Sequence, residues 1–444
     1  MVSGVVALLL LLLSVIVIII LTGRFKMNAF LVLIGVSFLF GLAIGLPALD
    51  VIAGIKNGFG GTLANIGIVI VAGTIMGTIL EKTGAALSMT QVILKLVGKS
   101  RAPLAMNIAG YVVSIPVFCD SGYVILNPLN KALAKESGIS MAVMAVALST
   151  GLYATHTMVP PTPGPIAAAS ALGADLGKVI LLGLITAIPA SLSGLLWATK
   201  FARRYEIEPE SHESYSEIVK KFGKLPGRFL SFLPIVLPIM LILLKSVAEF
   251  PSKPFGNGNF RIFLSFIGDP VSALIIGVLC SLLLVQKGEL KNAISGWMGE
   301  GIKESAIILV ITGAGGAFGQ IIKASPITEF IKTNMAGMQL GIFLPFIISA
   351  ALKTAQGSST VAIVTTAGIM APLLPSLGLD PALTTIAIGA GSMVVSHAND
   401  SYFWVVSQFS GMPVNIAYKA FTSATAVEGA VAFAAVLILS LFVH

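Results

Sequence analysis

Apolar residues run along this chain in long unbroken blocks. The first block, Val2 to Leu21, carries no charge, and Arg24 and Lys26 follow it at once. A hydrocarbon core about 30 Å thick needs roughly 20 apolar helical residues to cross it, so this block reads as a spanning helix. Its charges come after the apolar stretch, whereas a cleaved leader carries them before a shorter core. Further blocks lie near 27–46, 64–80, 102–118, 122–134, 141–155, 164–173 and 177–199. After a hydrophilic stretch they resume near 229–248, 263–286, 303–322, 340–354, 359–374, 381–396, 401–411 and 415–443. Several are too short to cross alone.

The pattern divides the chain into residues 1–200, a polar linker at 201–228 and residues 229–444. The two large parts resemble one another weakly. SIPVFCDSGYVIL (114–126) is followed by YATHTMVPPTPGP (153–165), and ALKTAQGSSTVAIV (351–364) by MVVSHANDSYFW (393–404). Each part thus places a small-residue interruption in an apolar run, then a histidine-bearing one, at offsets of 240 and 241 residues. Paired interruptions at corresponding positions point to the binding site of a secondary transporter. Lipid cannot satisfy free backbone N–H and C=O groups, so unwound chain at that depth must face protein or a polar cavity. The expected fold is an all-α polytopic membrane protein of two inverted repeats, each with about five transmembrane helices. In each repeat one helix is broken (141–173 and 381–411), and one re-entrant hairpin is expected (102–134 and 340–374). Hairpins of two full spans would fit the loops equally well.

Composition supports the membrane reading. Of the 444 residues, 56% are hydrophobic and 10% charged, with a mean hydropathy of +0.98. Soluble domains average about 25% charged residues, so soluble enzymes, nucleic-acid binders and disordered chains are excluded. The net charge of +8 is explained by orientation. With the N-terminus outside, most of the Lys and Arg fall in inner loops and the linker is cytoplasmic, as the positive-inside rule requires. Cys119 and Cys280 both sit in apolar stretches, which rules out a disulfide framework.

The first interruption holds Asp120, Ser121 and Gly122 after Pro116. Proline removes a backbone donor and glycine releases helical geometry, and Asp120 or Ser121 can cap the returning arm. A helix N-terminus offers N–H groups and a positive dipole end to an anion. An intramembrane carboxylate is expensive and points to function by default, so Asp120 is the first candidate for carrying a proton. The second interruption holds Gly357, Ser358, Ser359 and Thr360, suited to close approach of a polar ligand. Lys353, just before it, either snorkels or pairs with an anion. His156 and Thr157 precede a proline-rich break ending at Pro165. In the second repeat His397 and Asn399 precede Asp400 or Ser401, either of which can cap the next segment. Asp400 is the second candidate proton carrier. Asp175 and Asp269-Pro270 read as ordinary helix starts, Glu81-Lys82 as an interfacial pair, and Trp197, Trp297 and Tyr205 as interfacial or packing aromatics.

A metalloenzyme with zinc on His156, His397, Asp120 and Asp400 is the rival class, and a channel is another. No HExxH, GxSxG or cysteine cluster supports an enzyme, and no GxxxxGK[ST] supports a nucleotide-driven pump. No cofactor or metal is called for. Uptake must then draw on an ion gradient.

Nine segments carry a family resemblance: RFKMNAF (24–30), KNGFGGTL (56–63), VFCDSGYVILNPL (117–129), THTMVPPTPGPIAAA (155–169), GADLGKVILLG (173–183), GDPVSALI (268–275), ITGAGGAFGQII (311–322), KTAQGSSTVAIVTTAGIMAPLL (353–374) and GAGSMVVSHANDSYFWV (389–405). Over essentially its whole length the chain resembles the gluconate permease family of proton symporters, within the ion transporter superfamily. The resemblance implies a bacterial inner-membrane system that takes up gluconate or a related small hydroxy-carboxylate, with glycerate or D-serine as alternatives. It implies an acidic residue at the first hairpin (Asp120), a serine-rich second tip (Ser358, Thr360) and His156, His397, Asn399 and Asp400 at the breaks. Lys353 stands where the family's gluconate carriers resemble Arg, and Cys119-Asp120-Ser121 departs from their bulkier tip. The partners implied are the carboxylate, protons, lipid and a second copy in a homodimer with an elevator-like moving domain.

Overall fold

The computed structural model describes residues 2–209, 217, 225–249, 254–327, 330, 341–398 and 400–442, and every regular element among them is a helix. The first part contains α1 (Gly4–Gly23), α2 (Ala29–Ala43), α3 (Ala48–Lys82), α4 (Ala85–Val97), α5 (Ala102–Val113), α6 (Cys119–Ser137), α7 (Met141–Met158), α8 (Pro163–Leu172) and α9 (Leu176–Lys200). After the linker come α10 (Leu233–Ala248), α11 (Asn259–Ile267), α12 (Pro270–Leu282), α13 (Met298–Lys323), α14 (Phe343–Gln356), α15 (Ser359–Met370), α16 (Pro381–Gly391), α17 (Ser401–Phe409) and α18 (Ser423–Leu439). Among the described residues, 6 helices are long and apolar enough to cross a membrane, or up to 8 if two bent pairs each form one span. The protein is a multi-pass membrane protein.

Local chemistry sets the boundaries. Asp175, Asp269 and Asp380 each accept a bond from a backbone N–H of the following turn, at 2.7, 3.0 and 2.8 Å. Pro270 and Pro381 then occupy first-turn positions where no donor is lost. Asp175 and Asp269 are thus the helix starts the sequence suggests.

Three expectations need correction. Apolar content near 64–80 marks only the second part of α3, which begins at Ala48. Its Gly/Asn/Thr-rich opening stays helical because small residues allow α13 to approach. A Cβ on Gly58 would lie 2.5 Å from the Gly316 carbonyl oxygen. The apolar block at 263–286 is two helices, α11 and α12, bent by 62° at Gly268-Asp269-Pro270. The helix α4 went unread because its polar Thr90, Gln91 and Lys95 dilute the apolar signal to one face.

The continuous stretch Met141–Leu172, α7 with α8, is buried along its whole apolar window. It is therefore central rather than lipid-facing. On one side α5 meets α7 so closely that a Cβ on Gly151 would lie 2.1 Å from the Asn107 carbonyl oxygen. Asn107 is buried there, donating to Ala147 O at 2.9 Å and accepting from Ser191 Oγ of α9 at 2.9 Å. The helices α15 and α16 pack against α8, and α14 packs against both α15 and α16. Both interrupted regions therefore meet around α7.

Candidate functional site

The second tip is built by opposing helix ends. Gly357 closes α14 in the left-handed region at φ +95°, where a side chain would be strained. Ser358 then caps α15 by accepting from Val361 N at 3.3 Å. In the last turn of α14, Lys353 is fully buried. Its ammonium donates to the Gly357 carbonyl and to the Asp400 carboxylate. Of the two sequence readings for Lys353, pairing with an anion is the observed one. Asp400 caps α17, accepting from Tyr402 N at 3.1 Å and from the Ser396 hydroxyl. A cation at a helix C-terminus and an anion at an N-terminus each match the adjacent dipole end. Three donors and two dipoles thus offset the desolvation of this pair.

The rest of the second region encloses the pair. His397 Nε2 lies 2.8 Å from Thr354 O, which ties the second break to α14. Ser359 sits beside the Tyr153 hydroxyl, and Thr360 is half-buried one position on. Asn399 lies outside the described residues.

The first region contributes differently. The arm α6 starts at Cys119 after Phe118 with no side-chain cap, so neither Asp120 nor Ser121 caps it. Asp120 instead stands in the first turn, half-buried, where its carboxylate engages Ser401 and the Cys119 thiol and feels the Asp400 charge. The Cys119 thiol donates to Asp120 Oδ2 at 3.6 Å. Ser121 turns away toward the Glu81 carboxylate. Gly122 serves packing, since a Cβ there would lie 2.7 Å from Leu152 Cδ2. His156 is buried against Phe118, ring centroids 5.8 Å apart, within electrostatic reach of both Asp400 and Lys353. Its Nδ1 has no hydrogen-bond partner among the described residues. Thr157 spends its hydroxyl on Tyr153 O of its own helix at 3.1 Å.

The structure thus gathers Asp120, His156, Lys353, Ser359, His397 and Asp400 around one buried ion pair, and sends Ser121, Gly122 and Thr157 to other contacts. Among the described residues no three His, Cys, Asp or Glu side chains gather as metal ligands. Cys119 and Cys280 are free thiols. Lys82 makes its ion pair with Glu300 at 2.7 Å and feels Glu81 only electrostatically. Trp197 is a packing residue, donating to Ala420 O at 3.1 Å.

Sequence reading missed the aromatic wall. The Lys353 ammonium lies 5.8 Å from the Tyr153 ring centroid, and Tyr153 stacks obliquely on Tyr402 at 5.3 Å. The two phenols donate to Ser392 O at 3.2 Å and Ser149 O at 2.9 Å. A second omission was legible: Tyr123, Asn127 and Asn130 share one face of α6, at i, i+4 and i+7. All three are buried: Asn127 donates to Phe409 O at 2.8 Å, while its Oδ1 and both amide atoms of Asn130 have no partner among the described residues.

Residues 6–442 match the profile of the GntP family permease. The chain belongs to the GntP permease family. This permease is therefore not an enzyme. It is 33% identical over 435 residues to a gluconate permease of Pseudomonas aeruginosa, covering 95% of each chain. It is 34% identical over 427 residues to the D-serine transporter DsdX of Escherichia coli, again covering 95% of each. Its fold is similar to that of Neisseria gonorrhoeae MtrF, described as one of a class of antimetabolite efflux pumps. The TM-score is 0.68 over 95% of this chain and 96% of that one, at 17% identity.

Proposed function

We propose that this permease is a secondary active transporter that takes up gluconate or a related small hydroxy-carboxylate together with a proton across a bacterial inner membrane. The observation that carries the reading is the buried Lys353–Asp400 pair between two helix ends. An arriving carboxylate competes with Asp400 for the Lys353 ammonium, and the displaced Asp400 takes a proton. Substrate anion plus proton then enter a site whose net charge is unchanged, which avoids burying an unpaired charge. Asp120, beside Asp400, is the other acceptor for that proton. Ser358, Ser359, Thr360, His397 and Asn399 supply hydrogen bonds to substrate hydroxyls, with His156 closing the far side.

Relatives named for gluconate and for D-serine support a small carboxylate as cargo. D-serine and glycerate are the alternatives, since both present a carboxylate with an adjacent polar group. A cavity of about 520 Å³ between α3, α8, α13 and α15 has Asn57, Thr62, Asn65, Ser170, Gln320 and Lys323 in its lining, polar groups and one cation that an anion can meet. The paired turns at 114–118 and 357–358 and the paired breaks at 159–162 and 392–398 support two inverted repeats with re-entrant hairpins; an elevator-like moving domain within a homodimer is part of the same proposal. Radiolabelled uptake by proteoliposomes across a panel of gluconate, other aldonates, glycerate and D-serine is the deciding experiment. Accumulation of one of them driven by an inward proton gradient is expected. Transport only of solutes that lack a carboxylate would sink the proposal. For the inverted arrangement, cysteines at Ser121 and Ser358 in a background free of Cys119 and Cys280 should label from opposite faces.

A further inference from the structure

The apolar span that ends the chain contains one acidic residue, Glu428, well inside α18. It is fully buried, and neither carboxylate oxygen has a hydrogen-bond partner among the described residues. The neighbouring Gly429 marks a tight seam. A Cβ there would lie 2.6 Å from Val394 Cγ2 and 2.9 Å from Ala390 O, where α16 ends and the second break begins. Tyr153 of α7 and Tyr402 of α17 lie within electrostatic reach of Glu428. These are the phenols that wall the Lys353–Asp400 pair.

Among the described residues, no charged group on the surrounding elements offsets it. In α14, which meets α18 through Phe343, Phe346 and Phe433, Lys353 is committed to Asp400. In α9 the cations stand at the ends, Lys178 paired with Asp380 at 2.8 Å and Lys200 in the last turn. The helix α16 has no titratable side chain, and Tyr418 and Lys419 in the turn before α18 are exposed. His397, in the break, is turned to Thr354 O. A carboxylate buried with neither cation nor donor among the described residues is costly to keep charged. Even the neutral acid leaves its hydrogen bonds unmade, a cost an apolar residue would not carry.

We propose that Glu428 is a second proton-binding site of this permease, separate from the substrate site and coupled to it across Tyr153 and Tyr402. It holds its proton while the second break is packed against α18, and releases it when that seam opens. The inference rests on the proton-coupled reading above and adds one proton to each cycle.

The test uses the full-length protein in proteoliposomes, with radiolabelled gluconate, or D-serine if that is the acid the wild type accumulates. Proton and substrate fluxes are measured together. Glu428→Gln should keep substrate counterflow within about twofold of wild type, because it retains a neutral amide in the same space. It should move one proton fewer per substrate and flatten the pH profile of uptake. An unchanged proton-to-substrate ratio and pH profile in Glu428→Gln would overturn the inference and leave the proton-coupled reading standing. A wild type that moves no protons would overturn both. Should Glu428→Gln fail to fold, Glu428→Asp decides: a displaced pH profile supports the site, and an unmoved one rules it out.

Discussion

The two interrupted regions meet around α7, yet they solve the same physical problem in opposite ways. The second, between α14 and α17, opens its backbone beside charges and neutralises them locally with a buried Lys353–Asp400 pair and two helix ends. The first, between α5 and α8, keeps its proline-rich break among uncharged partners and brings one acid, Asp120, only to the rim of that pair. A site of this kind needs one region to hold charge and one to seal it. Sequence symmetry between the halves does not make their chemistry symmetric.

The largest effect should come from splitting the pair. Lys353→Met or Asp400→Asn alone should abolish uptake and lower stability in detergent by about 3–5 kcal/mol, because one buried charge is left uncompensated. The double variant Lys353→Met/Asp400→Leu should recover most of the stability, measured by thermal unfolding, and none of the transport. Equal melting points for single and double variants would mean the second region is not organised by charge.

Asp120→Asn follows in size. It should leave substrate exchange partly intact while removing uncoupler-sensitive accumulation. If the variant still concentrates substrate on a pH gradient alone, the first region seals and does not couple, and Asp400 takes the proton at the substrate site.

His156→Gln should cost less. Losing one neutral hydrogen bond to substrate predicts an apparent affinity lower by about tenfold, about 1.4 kcal/mol, with the melting temperature unchanged. Wild-type affinity would confine His156 to packing against Phe118. The smallest effect belongs to the rim. Lys82 and Glu300 are both substantially exposed, so neutralising either should shift stability by under about 1 kcal/mol, screened further by salt.

Much of this organisation was legible from residue order. Apolar blocks located nearly every helix of the fold, and Asp175 and Asp269-Pro270 located two of their caps. The interruptions at Gly357 and near His397 and Asp400 located the second region. What escaped had physical causes. The opening of α3 is helical despite its glycines because α13 presses against it, a tertiary fact with no local signal. Ser121 lay beside Asp120 in sequence but points to Glu81, since successive helical residues face about 100° apart. Tyr402 and Glu428 are isolated in sequence and acquire meaning only when α7, α16 and α18 converge.

The close approach of Gly58 to Gly316 also bears on how the chain is made. The opening of α3 is poor in apolar side chains and rich in bare backbone, a weak segment for lipid to receive. Its main packing partner, α13, begins some 250 residues later in the chain. Until then the glycine face of α3 has no α13 to pack against. A chain terminated in the linker should therefore be degraded faster than the full chain in a pulse-chase measurement, because its α3 never meets the helix that packs it.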